Sequence, residues 1–145
     1  KHPDNAQRIQ NLKKTKLVNG ILLSDKLNMK VRAVQLNRYI KNHLPELNNT
    51  KYKEYYVVDL GPGPGDFLEI CRTKGFKIKG YDAKLDSIKG MGKNYVNLCY
   101  LYAQEKKIDI DYGNFEETGF KGIDDNSVYI IHSRGSLGQI FSKHL

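Results

Sequence analysis

Short apolar runs alternate with longer segments of mixed polarity in the second half of the chain. Four of these runs are rich in β-branched and aromatic residues and predict strands at residues 55–60 (YYVVDL), 76–81 (FKIKGY), 108–112 (IDIDY) and 128–131 (VYII). Helices are predicted from Asp66 onwards and from Asn94 to Lys107, and a loop is predicted over the Lys- and Gly-rich residues 84–93. Strands that alternate with helices predict an α/β fold with a mostly parallel sheet.

The first 50 residues have no such runs and predict a helical extension. Asp4 to Lys14 reads as a polar helix or arm, and Ser24 is a plausible N-cap for a second helix that ends near His43. The apolar residues near one face of that second helix are Leu27, Val31, Val34 and Ile40. We therefore expect a helical extension over residues 1–50 and an α/β core over residues 51–145.

The first predicted strand leads directly into a loop of alternating glycine and proline. Asp59 lies at the strand end, and residues 61–65 read GPGPG. Glycine is needed where a backbone turns with positive φ or lies against a ligand. A dinucleotide fingerprint would place its third glycine at position 66, which is Asp66. The spacing therefore disfavours a nicotinamide dinucleotide and leaves a tight turn or a different nucleotide ligand.

Residues 59–65, Asp-Leu-Gly-Pro-Gly-Pro-Gly, resemble motif I, (D/E)-x-G-x-G-x-G, of the class I S-adenosylmethionine (SAM)-dependent methyltransferases. This resemblance implies a Rossmann-like core that transfers the methyl group of SAM and leaves S-adenosylhomocysteine (SAH). It implies that Asp59 orients the loop and the amino end of SAM. The loop residues expected to follow the amino acid tail of SAM are Gly61, Pro62, Gly63 and Gly65. The helical extension is, by the same analogy, a candidate lid.

The second predicted strand ends in Asp82, about 20 residues beyond the glycine loop. In nucleotide-binding βαβ units an acid at this spacing binds the ribose hydroxyls. A turn aspartate after a strand is the alternative. The resemblance favours ribose binding, and we include Asp82 and the adjoining Ala83 in the predicted cofactor site.

Asn114 and Phe115 follow the third predicted strand and match the positions where the family contacts adenine. The resemblance implies that Asn114 accepts a hydrogen bond from the adenine amino group and that Phe115 packs on the ring. Asp109 or Asp111 could replace Asn114 in this role.

The fourth predicted strand is followed by His132, Ser133 and Arg134. In the resembling family this strand end lies beside the transferred methyl group, so His132 and Ser133 are predicted to contact SAM. His132 could act as a general base, but a structural or cofactor-contacting histidine is favoured. Arg134 could bind an anionic acceptor or the carboxylate of SAM. No catalytic residue is assigned.

The basic charge lies mainly in the N-terminal third. Residues 1–50 hold 10 Lys and Arg against 3 Asp and Glu, a balance of +7, whereas the whole chain carries +8. Such asymmetry fits either a solvated helical surface or an RNA partner. We favour a small-molecule acceptor over RNA. Residues 59–65 also resemble the start of the RNA ribose 2′-O-methyltransferases. The strand-four acid of that family would fall at His132 or Ser133, and neither residue is acidic, so the catalytic set of that family cannot be completed here.

Four further expectations concern the chain as a whole. A complete class I sheet has seven strands and we count four before Leu145. We therefore expect either an incomplete core, which we favour, or a reduced variant that protects its exposed sheet edge by forming a homodimer or with the N-terminal helices. No apolar run reaches the length of a membrane span. Cys71 and Cys99 lack metal-ligand spacing and are expected to pack as apolar side chains in a cytoplasmic protein. A SAM-binding module without catalytic activity remains the alternative from another class.

Overall fold

The computed structural model describes residues 3–113 and 115–134, and its centre is a four-stranded, all-parallel sheet. The strands are β1 (Tyr56–Leu60), β2 (Lys77–Asp82), β3 (Ile110–Tyr112) and β4 (Val128–Ser133), in the order β3-β2-β1-β4. The helices are α1 (Pro3–Lys13), α2 (Leu23–Lys26), α3 (Met29–His43), α4 (Asp66–Thr73), α5 (Met91–Glu105) and α6 (Phe115–Thr118). The α/β fold with a parallel sheet flanked by helices is thus confirmed.

Strand β1 lies inside the sheet, and its residues 57–60 are buried on both faces. Val57 points into a core formed with α3, α4 and the end of α5. Val58 and Leu60 point to the other face, where they pack with Tyr81 and the segment around Phe115. Because side chains alternate along a strand, Asp59 shares the face of Val57. The acid at the strand end therefore lies on the side covered by α3 and α4.

Strand β4 is longer than the sequence predicted. The predicted strand ended at Ile131, but pairing with β1 continues through His132, opposite Asp59, and Ser133, opposite Leu60. An irregularity in the register between Tyr56 and Val57 sets this alignment. His132 therefore belongs to the strand, and pairing places it beside the acid of β1.

The predicted helix from Ser24 to His43 is wrong in its start. The structure has two helices, and α3 is capped by Asn28, whose side-chain oxygen accepts a hydrogen bond from the backbone N–H of Val31 at 3.2 Å. Leu27, between the helices, has φ −111° and ψ 51°, outside the helical region. An asparagine cap satisfies an otherwise unpaired N–H, which favours a new start at this residue.

The predicted buried face of this helix is also wrong in part. Val31 and Val34 are 49% and 61% exposed, whereas Leu36 and Ile40 are buried against the core of β1 and α4. Leu27 is buried in a separate cluster with α1 and α5. Packing against the sheet therefore decides which face of α3 is buried. The sequence pattern of the helix does not specify that face.

Helix α5 starts three residues earlier than predicted and ends at Glu105 instead of Lys107, which has φ 53°. Part of the predicted loop at residues 84–93 is therefore helical, and it also contains a 3₁₀ turn at Leu85–Ser87. Cys71 and Cys99 are free and buried, which confirms the prediction that they pack as apolar residues. Within the described part of the chain, no helix combines the length and apolar character needed to cross a bilayer.

Candidate functional site

The glycine loop turns sharply between β1 and α4 by using positive φ angles. Gly61, Gly63 and Gly65 have φ of 71°, 57° and 80°, a region that side-chain-bearing residues rarely adopt. The backbone N–H of Gly61 donates to the carbonyl of Tyr81 at 2.8 Å, which ties the loop to β2. A Cβ at Gly63 would meet no atom within 4 Å. The backbone at Gly63 therefore faces open space, whereas a Cβ at Gly65 would lie 3.1 Å from the side chain of Ile108.

The loop borders a cavity of about 280 Å³ at the carboxyl ends of β1 and β4. The strand order reverses here, because β2 and β3 lie on one side of β1 and β4 lies on the other. Parallel α/β sheets bind ligands in the crevice at such a reversal. The lining comprises residues 61–64 of the loop, Asp59, His132 and Arg134 at the strand ends, Arg32, Gln35 and Leu36 of α3, Asp66 and Phe67 of α4, and Tyr95 of α5.

Asp59 and His132 form a buried pair at the floor of this cavity. Oδ1 of Asp59 lies 2.8 Å from Nδ1 of His132, and the two residues are 3% and 7% exposed. The imidazole stacks on the ring of Phe67 at a centroid distance of 4.0 Å. Its other nitrogen, Nε2, lies 3.1 Å from the hydroxyl of Tyr39 in α3. Strand pairing, α4 and α3 together fix the orientation of the ring.

The hydrogen-bond directions in this pair follow from its partners. Burial raises the pKa of Asp59, and the hydrogen bond and charge of His132 oppose that rise. An ionised carboxylate only accepts hydrogen bonds, so Nδ1–H of His132 donates to Asp59. In a neutral imidazole Nε2 then accepts from the hydroxyl of Tyr39. The result is a continuous hydrogen-bonded chain from α3 through β4 to β1.

A second polar pair joins α3 to the start of α4. The guanidinium of Arg32 contacts both carboxylate oxygens of Asp66, with Nε to Oδ2 at 2.8 Å and Nη2 to Oδ1 at 3.1 Å. Asp66 is buried, and its side chain is only 8% exposed. A bidentate pair of this kind fixes distance and angle together. It therefore holds the helical extension against the glycine loop.

Asp82 lies beside the loop but outside the lining of the cavity. Its Oδ1 accepts the backbone N–H of Ala83 at 2.8 Å. Burial raises the pKa of Asp82, and hydrogen bonds from the N–H groups of Ala83 and Gly63 oppose that rise. The carboxylate predicted to bind ribose is thus connected to the glycine loop through Gly63.

We expect Asp82→Asn to stabilise the free protein at pH 7. The folded protein holds the proton of Asp82 more tightly than the unfolded chain does, because the folded pKa is raised. This proton-linked contribution to stability is complete below the unfolded pKa and is lost as the pH rises through the folded pKa. Urea unfolding should show a gain over wild type at pH 7 that shrinks towards pH 3. Asp86→Asn, at an exposed position in the next turn, should show none.

Two predicted site residues, Phe115 and Ser133, lie outside the lining of the cavity. Phe115 packs on Tyr81 and Phe120 on the opposite sheet face, so it does not meet the cavity as described. The hydroxyl of Ser133 donates to the carbonyl of Leu60 at 3.4 Å. Asn114, the predicted adenine contact, lies outside the described residues. The guanidinium of Arg134 lies over the ring of Tyr39, 5.0 Å from its centroid.

Three residues of α3 were missed at the sequence level. Arg32, Gln35 and Tyr39 recur at i, i+3 and i+7, so they lie along one helical face, next to the buried Leu36 and Ile40. Polar and aromatic residues along the edge of a buried stripe are a usable signal for a helix that borders a site. Nothing local indicated that Arg32 pairs with Asp66 of α4 or that Tyr39 contacts His132 of β4.

Comparisons of the chain with protein-family models, with curated proteins and with solved structures gave no match. The fold and cavity themselves define an α/β protein with a glycine-loop crevice at the reversal of a parallel sheet. Residues 3–113 and 115–134 contain no group of three or more His, Cys, Asp or Glu side chains arranged to hold a metal ion. The crevice thus offers carboxylates, arginines and bare backbone as its means of recognition.

Proposed function

We propose that the chain is the SAM-binding core of a Rossmann-like, class I methyltransferase. One observation carries the proposal: the open backbone of the glycine loop borders a cavity whose floor is the buried carboxylate of Asp59. The strand order β3-β2-β1-β4 supports it, because it is the order of the first four strands of a doubly wound nucleotide-binding sheet.

The polar groups of the site suit the separate parts of SAM. An ammonium group needs a carboxylate, which Asp59 provides on the cavity floor. Arg134 borders the same cavity and suits the carboxylate of the amino acid tail. Asp82, tied to Gly63, suits the ribose hydroxyls. The cavity of about 280 Å³ is near the lower end of ligand pockets, roughly 300 to 1,000 Å³, so it suits the amino acid tail with the ribose beyond it.

The methyl group of bound SAM is already activated by its sulfonium centre. The protein then needs to position the acceptor in line with the methyl group and to exclude water. Helix α3 contributes to this exclusion, because Arg32, Gln35 and Leu36 form one wall of the cavity. The free, buried cysteines fit the cytoplasmic location that we propose.

The start of α4 argues against a nicotinamide dinucleotide. A pyrophosphate binds at the N-terminus of this helix in dinucleotide-binding folds. Asp66 occupies the first position of α4 and is held there by Arg32. The side chain fixed at that point takes up space near the helix N-terminus that a pyrophosphate would need. The amino acid tail of SAM carries an ammonium group, and SAM has no pyrophosphate that must bind at the N-terminus of this helix.

A small molecule is the favoured acceptor, because the cavity is small, about 280 Å³, and α3 forms one of its walls. RNA is the second candidate, and one observation supports it. Helix α3 contains no acidic residue, and its outer surface exposes Lys30, Arg38 and Lys41. A non-catalytic SAM-binding subunit is the alternative outside the enzyme class.

Isothermal titration calorimetry of the chain with SAM, SAH and NAD tests the proposal. We expect saturable binding of SAM and SAH with dissociation constants in the micromolar range, about −7 to −8 kcal/mol, and no measurable heat with NAD. Absence of SAM and SAH binding by the folded chain would contradict the proposal. Preferential binding of NAD would replace it with a dinucleotide-dependent activity. RNA oligonucleotides and small nucleophiles are then screened as acceptors.

A further inference from the structure

The imidazole of His132 is shared between the helical extension and the sheet. Tyr39 approaches one ring nitrogen from α3, and Asp59 approaches the other from β1. Tyr39 and His132 are separated by 93 residues in sequence. The ring also borders the cavity of the glycine loop. A change in its charge therefore acts directly on the ligand site.

Several charged or titratable groups surround this ring. Asp59 of β1 contacts it, and the buried thiol of Cys71 in α4 lies close enough to Asp59 to interact with its charge. Asp66, at the start of α4, also acts on Asp59 but is paired with Arg32. On the side of Tyr39, His43 lies against the phenol ring and Arg134 lies over it. The carboxylate of Asp59 is thus the charge in direct contact with the imidazole.

We propose that His132 and Tyr39 are positioning residues that set the charge of Asp59 towards the ligand, so that SAM and SAH bind when the imidazole is neutral. This inference rests on the proposed function. A neutral ring leaves the charge of Asp59 available to the ammonium group of the ligand. A protonated ring neutralises that charge and repels the ammonium. Imidazole is the side chain that changes charge between about pH 5 and 8.

The hydroxyl of Tyr39 serves both states of the ring. It donates to Nε2 of a neutral imidazole and accepts from Nε2–H of a protonated one. Hydrogen bonds to a charged group are the stronger kind. Removal of this hydroxyl therefore disfavours the protonated ring more than the neutral one. Tyr39→Phe should move the acid loss of binding to lower pH.

The first experiment is calorimetric titration with SAH between pH 5.5 and 7, each pH in two buffers of different ionisation enthalpy. The charges of the ligand stay constant over most of this range, so a change in affinity reports on the protein. We expect the dissociation constant to rise about tenfold from pH 7 to pH 5.5. If binding requires the loss of one proton from the protein, the dissociation constant changes by up to about tenfold per pH unit. Buffer-dependent heats should reveal proton release on binding at pH 5.5.

His132→Gln removes the imidazole ring. We expect this variant to show less than a twofold change in affinity over the same range, and no proton release. Retention of the full pH dependence in His132→Gln would overturn the inference, because the proton would then belong to Asp59 or Asp82. A circular dichroism melt establishes that the variant is folded.

Tyr39→Phe is the milder variant, and Tyr52→Phe is its matched control. Tyr52 is partly buried against the same core but stacks on Tyr129, away from the cavity lining. We expect Tyr39→Phe to lower the midpoint pH of the acid loss of SAH binding by about half a pH unit. Tyr52→Phe should leave this midpoint unchanged. Equal midpoints in both variants would refute the assignment of Tyr39.

These outcomes separate the inference from the function on which it rests. If wild-type protein binds no SAH at pH 7, the proposed function fails and the inference fails with it. If SAH binds equally well from pH 5.5 to 7, the function stands and the inference alone is overturned.

Discussion

Gly63→Asp should abolish binding of SAM and SAH, with dissociation constants at least about 100-fold higher, or roughly 2.7 kcal/mol. The side chain would project into the open space beside Gly63, where no protein atom lies within 4 Å. Its carboxylate would occupy the place proposed for the ligand, close to the carboxylate of Asp82 that Gly63 contacts. Loss of binding would come from both steric exclusion and charge.

Gly119→Asp is the matched control for this variant. Gly119 has φ 71°, and a Cβ there also meets nothing within 4 Å, but it lies after α6 and outside the cavity lining. Both substitutions carry a similar cost of about 1 to 2 kcal/mol for a side chain in the left-handed region. Affinity for SAH should fall in Gly63→Asp alone. An equal loss in both variants would show that the effect is loss of stability and would remove Gly63 from the site.

Arg32→Met should lower the free energy of unfolding by about 2 to 3 kcal/mol. The substitution keeps most of the side-chain volume but leaves the buried carboxylate of Asp66 without its bidentate partner. Breaking a fully buried pair costs about 3 to 5 kcal/mol, and the value here is smaller because Arg32 is 30% exposed. Urea denaturation, monitored by circular dichroism, measures the change.

Two further variants identify the cause of this loss. The double variant Arg32→Met/Asp66→Asn should recover most of the stability, because no buried charge is then left unpaired. Lys106→Gln, which breaks the more exposed pair with Glu69, should cost less than about 1 kcal/mol. If Arg32→Met costs no more than Lys106→Gln, the Arg32–Asp66 pair does not hold α3 to the core.

The four strands show how much of the sheet the hydrophobic pattern predicts. Each predicted strand is present, and their ends differ by one or two residues, because β propensity and flanking turn residues act locally. The end of β4 was wrong because His132 and Ser133 are polar. They stay in the strand through pairing with Asp59 and Leu60. Pairing partners, and not the residues' own propensity, decide such ends.

Helix α3 illustrates what the pattern missed. Its residues have two candidate apolar faces, one through Val31 and Val34 and one through Leu36 and Ile40. Only the second is buried, because the sheet and α4 offer a complementary surface there. The same packing brings Arg32 to Asp66 and Tyr39 to His132. A helical period fixes which residues share a face, but it does not say which face meets the core.

The sequence by itself determined the glycine loop, the acids at the ends of β1 and β2 and the alternation of strands with helices. These features depend on the conformational freedom of glycine and on periodicity over a few residues. Only the tertiary structure decided the chain of contacts from Tyr39 through His132 to Asp59 and the closure of the cavity by α3. Those contacts join residues up to 93 positions apart, and they form only when strand order, register and helix packing are fixed together.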